Sequence, residues 1–467
     1  MNYRHTVILL VATLAAGTIP AIQGMAQDAN TNIEQRLEEL EQEIRILRRQ
    51  QELQQEQTDQ KAKETPIVKA GADGFSLQSA DGKFVLYLRG QLQFDSRWYV
   101  DDQANNGTDT FLIRRARPIL EGTLFNEFDF KLMPDFGQGQ VVLFDAYVEW
   151  RHWDWLKLRA GKFKSPIGEE QLEEDIWTLF TERSLATDLV PNRDVGVDLN
   201  GNLFGGVIAY AAGVFNGVPD GANGDLDNND AKDYEGRLFI QPFKTTDIEP
   251  LRGLGFGVAG SLGDEGGSPG TPNLPTYKTT GQNTFFKYLA GTTATVTNTV
   301  IANGEHTRWT PQGYYYWGPL GLLAEYAVSD QKVQIRPGGV KTSDYIRNSA
   351  WQVTGSWVLT GERATFAGVT PKQPFNLSKG TWGAFQLVAR YSDLHIDPNA
   401  FPAFSNPAVS AQEAYDWGVG LNWYLNRNVM FKLDYDQTSF DGGAGTTANV
   451  KNREIERFLS TRAQLWF

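Results

Sequence analysis

The sequence predicts an all-β protein: a 16-stranded antiparallel transmembrane β-barrel preceded by a short N-terminal α-helical coiled coil. Three observations support this fold class. Apolar and polar residues alternate in 16 segments after residue 74, as in strands with one apolar face. Short turns alternate with long polar loops between these segments. A heptad pattern of apolar residues precedes them.

The composition excludes several classes of protein. The 467 residues include no cysteine, so disulfides, zinc–thiolate sites and cysteine nucleophiles are absent. The hydrophobic fraction is 41% and the mean hydropathy is −0.39, which argues against membrane-spanning helices of about 20 apolar residues. A membrane barrel remains compatible, because only one face of each strand is apolar. The net charge of −13 argues against a nucleic-acid partner.

Residues 1–26 have the pattern of a signal peptide. Arg4 and His5 form a short basic region, an apolar run follows, and Gly24, Met25 and Ala26 supply small residues around a cleavage point. The alternative is an N-terminal membrane anchor, but the apolar run is too short to span a bilayer. Export of a long chain without cysteine favours a bacterial outer membrane or periplasm.

Residues 27–65 are predicted to form a periplasmic coiled-coil segment. The apolar residues Ile33, Leu37, Leu40, Ile44 and Leu47 are spaced alternately by four and three positions. Two hypotheses remain open: a dimeric or trimeric coiled coil, and a single helix that packs elsewhere. Residues 66–82 are expected to be a linker, and residues 83–467 the barrel.

The strand pattern is clear in several segments. Between 83 and 99 the even positions are mostly apolar and the odd positions mostly polar, over a length that suits a tilted barrel strand. In 141–151 the same rule places Phe144 on the lipid-facing side and Asp145 on the lumen-facing side. Trp and Tyr residues near strand ends fit the aromatic girdles of a membrane barrel. A soluble β-sandwich or propeller would expose these apolar faces to water.

The sequence resembles the family of phosphate-selective porins O and P. The segments that carry the resemblance are Arg114-Arg115-Ala116-Arg117, Glu121-Gly122, Phe128-Asp129-Phe130-Lys131-Leu132, Asp145-Ala146-Tyr147-Val148, Ala160-Gly161-Lys162-Phe163-Lys164-Ser165-Pro166-Ile167-Gly168, Glu182-Arg183-Ser184 and Arg193-Asp194-Val195-Gly196. The resemblance implies a homotrimeric porin of the bacterial outer membrane, in contact with its lipid and with an inward-folded third loop.

Basic residues on the lumen-facing positions are the expected anion path. Pairs two positions apart on one strand would form cationic steps about 7 Å apart. Guanidinium groups bind phosphate or carboxylate through a planar fork. The expected pore-lining residues are Arg89, Arg97, Arg115, Arg117, Lys131, Lys157, Arg159, Lys162 and Lys164.

Acidic residues leave the selectivity open. Inward-facing acids are as numerous as the bases, so cross-strand ion pairs could leave little free positive charge. The third loop is expected to form the constriction, and its acidic residues are Glu169, Glu170, Glu173, Glu174 and Asp175. Inside the lumen they would repel phosphate, and outside it they would matter little. An anion-attracting constriction and a weakly selective pore are therefore both retained.

Passive diffusion of small ions and hydrophilic solutes through an outer-membrane porin is the leading function, with preference for phosphate or polyphosphate as the narrower hypothesis. The alternative is an envelope tether whose coiled coil binds peptidoglycan or another periplasmic partner. An enzyme is disfavoured because no G-x-S-x-G motif occurs. No cofactor or metal is expected. The run around Asp225, Asp227 and Asp230 only partly resembles a calcium loop.

Overall fold

The structure is a computed structural model that describes residues 23–104, 107–227, 229–291, 298–336 and 339–467. It contains two units, one within residues 1–65 and one from Pro66 to Phe467. Most of the predicted signal peptide lies outside the described residues.

The first unit is a single α-helix, α1, which spans Gln23–Glu64. The five apolar residues of the heptad pattern are 48–63% exposed along it. Its ion pairs, Arg45 with Glu41 and Arg49 with Glu52, are solvent-exposed and contribute little to stability. Among the described residues, no helix combines the length and apolar character needed to cross a membrane.

The second unit is a closed antiparallel barrel. Each strand pairs with the next along the chain, and the last strand pairs with the first through Phe458–Tyr99 and the pairs that follow. The described residues thus confirm the predicted 16 barrel strands. They are β1 Val85–Tyr99, β2 Thr110–Leu124, β3 Phe128–Asp135, β4 Val142–Trp153, β5 Leu156–Lys164, β6 Arg193–Leu203, β7 Ile208–Phe215, β8 Asp233–Ile240, β9 Leu254–Gly266, β10 Ile301–Trp317, β11 Leu320–Ile335, β12 Thr342–Val358, β13 Ala384–His395, β14 Ala411–Tyr424, β15 Val429–Thr446 and β16 Glu456–Trp466.

The predicted alternation is visible in the exposure of the strand residues. On β12, Trp351 and Trp357 face outward and are 39% and 52% exposed. Asn348, Ala350 and Gln352 face inward on the same strand and are 1% exposed. The outer face of the barrel is therefore apolar, and the inner face carries the polar and charged residues.

Two β-bulges change this alternation near the middle of the wall. On β2, Gln93 faces Arg115 while Phe94 faces Ile113, so Arg114 is the extra residue. On β4, Met133 faces Asp145 while Pro134 faces Leu143, so Phe144 is extra. Phe144 was expected on the lipid-facing side.

That expectation for Phe144 is wrong because the bulge turns its ring toward the arginines of the inner wall. The Arg117 guanidinium lies 4.2 Å from the ring centroid, and the Arg193 guanidinium lies 4.5 Å from it.

The segment expected to be a linker, 66–82, contains a β-hairpin. Its strands span Ile67–Gly71 and Gly74–Gln78, and the second pairs with the start of β1. The hairpin turn contacts the connection between β14 and β15, where Asp73 pairs with Arg427 and Ala72 O accepts a hydrogen bond from Asn428. The hairpin therefore extends the wall at one end of the barrel.

The two ends of the barrel differ in their connections. One end, called the turn end, carries connections at 125–127, 154–155, 204–207, 241–253, 318–319, 359–383 and 425–428. The other, called the loop end, carries connections at 100–109, 136–141, 165–192, 216–232, 267–300, 336–341, 396–410 and 447–455. The connections at 241–253 and 359–383 are longer than the tight turns expected at this end.

An apolar cluster fills part of the barrel interior. It combines Phe285 and Phe286 from loop 267–300, Leu185 and Leu189 from loop 165–192, and inward residues of the wall such as Ile346, all at most 1% exposed. The aromatic residues come from a short hairpin with strands Thr276–Lys278 and Thr284–Lys287. Burial of these side chains stabilises both loops inside the barrel.

Candidate pore constriction

Residues 165–192, called the third loop, connect β5 to β6 and cross the interior of the barrel. The Glu170 amide donates to Glu325 on β11 at 3.1 Å, and the Thr181 amide donates to Asp434 on β15 at 2.7 Å. Arg390 on β13 donates to the Glu182 carbonyl at 2.9 Å. These strands lie far around the barrel from β5 and β6. The loop is therefore inside the lumen, which the sequence left open.

Glu182 anchors the loop to the wall. Its carboxylate accepts hydrogen bonds from Arg114 on β2 at 2.6 and 2.9 Å and from Arg97 on β1 at 2.8 Å. Arg462 on β16 lies 3.6 Å away and forms a two-pronged pair with Asp95 at 2.7 Å. Three strands, β1, β2 and β16, thus meet at one loop carboxylate, which fixes the position of the loop.

Asp175 forms a second anchor. It pairs with Arg117 on β2, lies 3.4 Å from Arg115, and accepts from Arg183 of the same loop at 2.6 Å. Arg117 also donates to Asp135 on β3 at 2.7 Å. Arg115 and Arg117 are 6% and 3% exposed. The two arginines and the loop acid predicted from the sequence are therefore brought together, but as a buried network.

The two networks lie side by side, since Arg114 and Arg115 are consecutive on β2, and together they are called the arginine cluster. It contains six arginines and four carboxylates, so its formal charge is +6 − 4 = +2. Within the described part of the chain, Arg115 Nε and Arg462 Nη1 are buried donors without an acceptor. Its members are Arg97, Arg114, Arg115, Arg117, Arg183, Arg462, Asp95, Asp135, Asp175 and Glu182.

The loop acids of the cluster are ionised. Burial alone would raise the pKa of Asp175, but Arg115, Arg183 and Arg117 outweigh it and hold that pKa well below its ordinary value. Burial likewise opposes ionisation of Glu182, and its pKa is held well below the ordinary value by Arg114, Arg97 and Arg462. Each of the two loop acids therefore contributes a full negative charge to the total of +2.

Two arginines of the cluster were missed by alternation. Arg114 would face outward in a regular strand, and the bulge turns it inward toward Glu182. Arg183 lies in the third loop, where strand periodicity gives no information. The signal that could have identified them is the density of arginine in Arg114-Arg115-Ala116-Arg117 and the adjacent Glu182-Arg183 pair.

The other expected pore-lining bases on the wall are mostly paired. Arg89 lies 3.2 Å from Glu121, Lys131 lies 3.4 Å from Asp145, and Arg159 lies 2.6 Å from Glu149. Lys157 is partly exposed, and no described residue forms an ion pair with it. The three pairs are separate from the arginine cluster.

Lys162 and Lys164 contact loops. Lys162 is buried and lies 2.5 Å from Asp225 in loop 216–232. Lys164 donates to the carbonyls of Leu172 and Glu173 at 3.2 and 2.8 Å. Loop atoms cover both amines, so neither faces the open lumen. A role for these lysines in the anion path therefore stays a prediction, and it requires that the loops move.

The remaining acids of the third loop have different environments. Glu169 pairs with Arg237 at 2.6 Å, and Glu170 accepts from the Ser184 hydroxyl at 2.5 Å. Glu173 is 4% exposed, and burial together with nearby Glu170 raises its pKa well above the ordinary value. Glu174 is half exposed and lies 4.0 Å from Lys164. Glu169, Glu170 and Glu174 therefore have polar or charged partners, and burial favours the protonated form of Glu173.

A separate buried network binds loop 216–232 to the wall. Arg308 on β10 lies 2.6 Å from Asp220 and 3.2 Å from Asp233. His306 lies 2.9 Å from Glu265. Tyr277 of loop 267–300 donates to Asp220 at 3.1 Å, which links the two loops. These contacts hold both loops inside the barrel.

The calcium-like run in loop 216–232 is engaged in ion pairs. Asp225 pairs with Lys162, and Asp227 lies 2.5 Å from Lys232. Across the described residues, no group of His, Cys, Asp or Glu side chains has a geometry that could hold a metal ion.

Comparison of the sequence with known families agrees with the porin-like fold. The sequence matches the family described as phosphate-selective porin O and P over residues 86–467, which covers the barrel from the second residue of β1. The chain belongs to this family. The porin is accordingly a channel of the outer membrane.

Solved structures share the fold at low sequence identity. The outer membrane channel DcaP of Acinetobacter baumannii is 10% identical with a TM-score of 0.52, over 82% of this chain and 97% of that chain. OmpT of Vibrio cholerae in its trimer form is 11% identical with a TM-score of 0.51, over 82% and 99%. The anion-selective porin from Comamonas acidovorans is 11% identical with a TM-score of 0.50, over 82% and 100%. No curated protein matches the sequence.

Proposed function

We propose that this porin conducts small ions and hydrophilic solutes with a preference for anions of the phosphate class. The single observation that supports this preference is the charge of +2 on the arginine cluster where the third loop crosses the lumen. A buried, incompletely neutralised charge acts over a longer distance than a solvated one, because the surrounding protein screens it less.

The ion pairs on the wall explain why we expect the preference for anions to be partial and not absolute. Arg89 and Arg159 are each matched by a carboxylate, and Lys131 shares Asp145 with the buried Arg193, so the accessible wall contributes only a small net field. The arginine cluster then sets the sign of the selectivity, and Lys157 adds one positive charge on the wall. A pore of this kind favours anions without excluding neutral solutes.

Phosphate block of the chloride current tests the proposal. Phosphate added to a planar bilayer is expected to reduce the chloride current of the native porin. The double variant Arg115→Ala, Arg117→Ala is expected to lose this block. Arg347→Ala, which removes an exposed arginine outside the cluster, is expected to retain it. Equal block in all three proteins would contradict the proposal.

We also propose that three copies associate in the membrane, with the apolar outer face against lipid and the turn end toward the periplasm. The exposed heptad residues of α1 support a coiled coil between copies, because water contact with this apolar stripe is unfavourable. OmpT of Vibrio cholerae has a trimer form. Cross-linking of the purified porin tests this: trimers are expected, and monomers alone would contradict the proposal.

An envelope tether is the second candidate function, and the exposed stripe on α1 is the observation that favours it. In that case the helix binds peptidoglycan or another periplasmic partner. Deletion of residues 32–57 distinguishes the two functions. A channel retains its conductance, whereas a tether loses attachment to the envelope in a sedimentation assay.

A further inference from the structure

We propose that a cavity at the turn end of the lumen binds small aromatic carboxylates. The cavity has a volume of about 330 Å³ and lies between the third loop, the start of β1 and the end of β16. This volume is sufficient for a single-ring solute, since small-molecule sites begin near 300 Å³. The proposal adds a solute class to the porin and rests on its function as a channel.

The apolar wall of the cavity fits a planar ring. Trp177 of the third loop and Trp466 of β16 lie edge to face, with ring centroids 4.9 Å apart. Met133, which is 2% exposed, forms another part of the wall. Aromatic rings and thioethers favour contact with a further aromatic ring in such a slot.

The long connection 359–383 packs against Trp177. Ile176 and Trp177 pack against a buried apolar cluster that includes Ala364 and Val369 of this connection, which are 1% and 2% exposed. Gly368 has a φ of +79°, and a Cβ at this position would come within 2.3 Å of the Trp177 ring. The connection therefore contacts the indole directly, and the aromatic wall is built by tertiary packing.

The polar wall offers donors to a carboxylate. Gln91 lines the cavity and is 7% exposed, and no acceptor for its Nε2 exists among the described residues. Arg89, two positions earlier on the same strand, supplies a positive charge. A buried donor without a partner costs free energy, and an anionic oxygen from a solute would remove that cost.

The acids at the cavity do not oppose this assignment. Asp73 pairs with Arg427, which also lines the cavity, and Glu121 lies 3.2 Å from Arg89. Lys164 and Lys131 outweigh burial and lower the pKa of Glu174, so this carboxylate is charged but compensated. The cavity is then close to neutral, with one apolar wall and an unpaired donor, Gln91 Nε2. These properties favour a singly charged aromatic acid over a strongly hydrated phosphate ion.

Single-channel recording with benzoate tests the proposal. Benzoate is expected to block the native porin at a concentration about tenfold lower than acetate, equivalent to 1.4 kcal/mol of added binding. Trp177→Ala and Gln91→Leu are each expected to raise the half-blocking concentration of benzoate about tenfold. Trp177→Phe is expected to preserve the block, because a ring remains.

Matched controls separate this site from general effects. Trp357→Ala removes an outward-facing indole that is 52% exposed, and is expected to leave the benzoate block unchanged. Native open-channel conductance in Gln91→Leu shows that the variant folds. Phosphate block is expected to persist in Gln91→Leu, so failure of either solute proposal is distinguishable from failure of the other. Equal block by acetate and benzoate, or unchanged benzoate block in both Trp177→Ala and Gln91→Leu, would overturn the proposal.

Discussion

Glu182 in the third loop accepts two hydrogen bonds from the guanidinium of Arg114 on β2, at 2.6 and 2.9 Å. The bulge on β2 makes this pair possible, because a regular strand would turn Arg114 outward. The position of the third loop therefore depends on one backbone irregularity and one carboxylate.

Glu182→Ala is predicted to destabilise the porin by about 3–5 kcal/mol, since it leaves Arg114 without its carboxylate and removes a second partner from Arg97 and Arg462. Denaturant unfolding followed by tryptophan fluorescence measures this change. Asp247→Ala removes the partner of an exposed arginine, Arg252, and is predicted to leave the midpoint unchanged. Equal midpoints for Glu182→Ala and the native porin would contradict the anchoring role of Glu182.

Glu173→Gln is predicted to reduce the pH dependence of stability. Burial raises the pKa of Glu173, so the folded porin retains a proton that the unfolded chain releases above its own lower pKa. The native porin therefore loses stability as the pH rises between those two pKa values. A glutamine does not titrate, so the melting temperatures at pH 5 and pH 8 should lie closer together in the variant. An unchanged difference would show that Glu173 is already ionised.

Phe144→Leu is predicted to weaken the wall beneath the arginine cluster by about 1–2 kcal/mol, because two guanidinium groups lose their contact with an aromatic face. Arg117 and Arg193 both lie within 4.5 Å of that ring centroid. Phe128→Leu, on the outward face, is the matched control. Chemical unfolding compares the two variants, and similar losses in both would exclude a specific cation–π contribution.

Phe286→Ala is predicted to increase conductance and current noise. Phe286 is fully buried in the apolar cluster inside the barrel, and truncation of such a ring costs about 3–5 kcal/mol of packing. Loop 267–300 would then leave the lumen part of the time. Phe256→Ala, on the outward face, is predicted to retain native conductance. A quiet channel of native conductance in Phe286→Ala would contradict the role of this cluster in narrowing the pore.

Much of the barrel could be predicted from the sequence because strand periodicity is a local signal. The alternation in 83–99 correctly places Gln93 and Asp95 inward and Leu92 and Phe94 outward. It fails for Arg114 and Phe144, since a bulge depends on the pairing with a neighbouring strand. The resemblance to the porin family is confirmed.

The interior was less predictable because it is built from contacts distant in sequence. Asp175 and Arg117 are 58 positions apart, and Tyr277 of loop 267–300 contacts Asp220 of loop 216–232. Composition identified the acids of the third loop but not their partners. The ion pairs alter the effect on anions that is expected of these acids. Asp175, for example, neutralises arginines and does not face the solute.

The reversal potential in a potassium chloride gradient tests the central claim most directly. The native porin is predicted to be anion-selective. Arg115→Gln lowers the charge of the arginine cluster from +2 to +1 and should reduce the selectivity, whereas Asp175→Asn raises it to +3 and should increase it. Both variants loosen the same loop, so opposite shifts would isolate the effect of charge. A cation-selective native porin, or shifts in the same direction for both variants, would contradict the account.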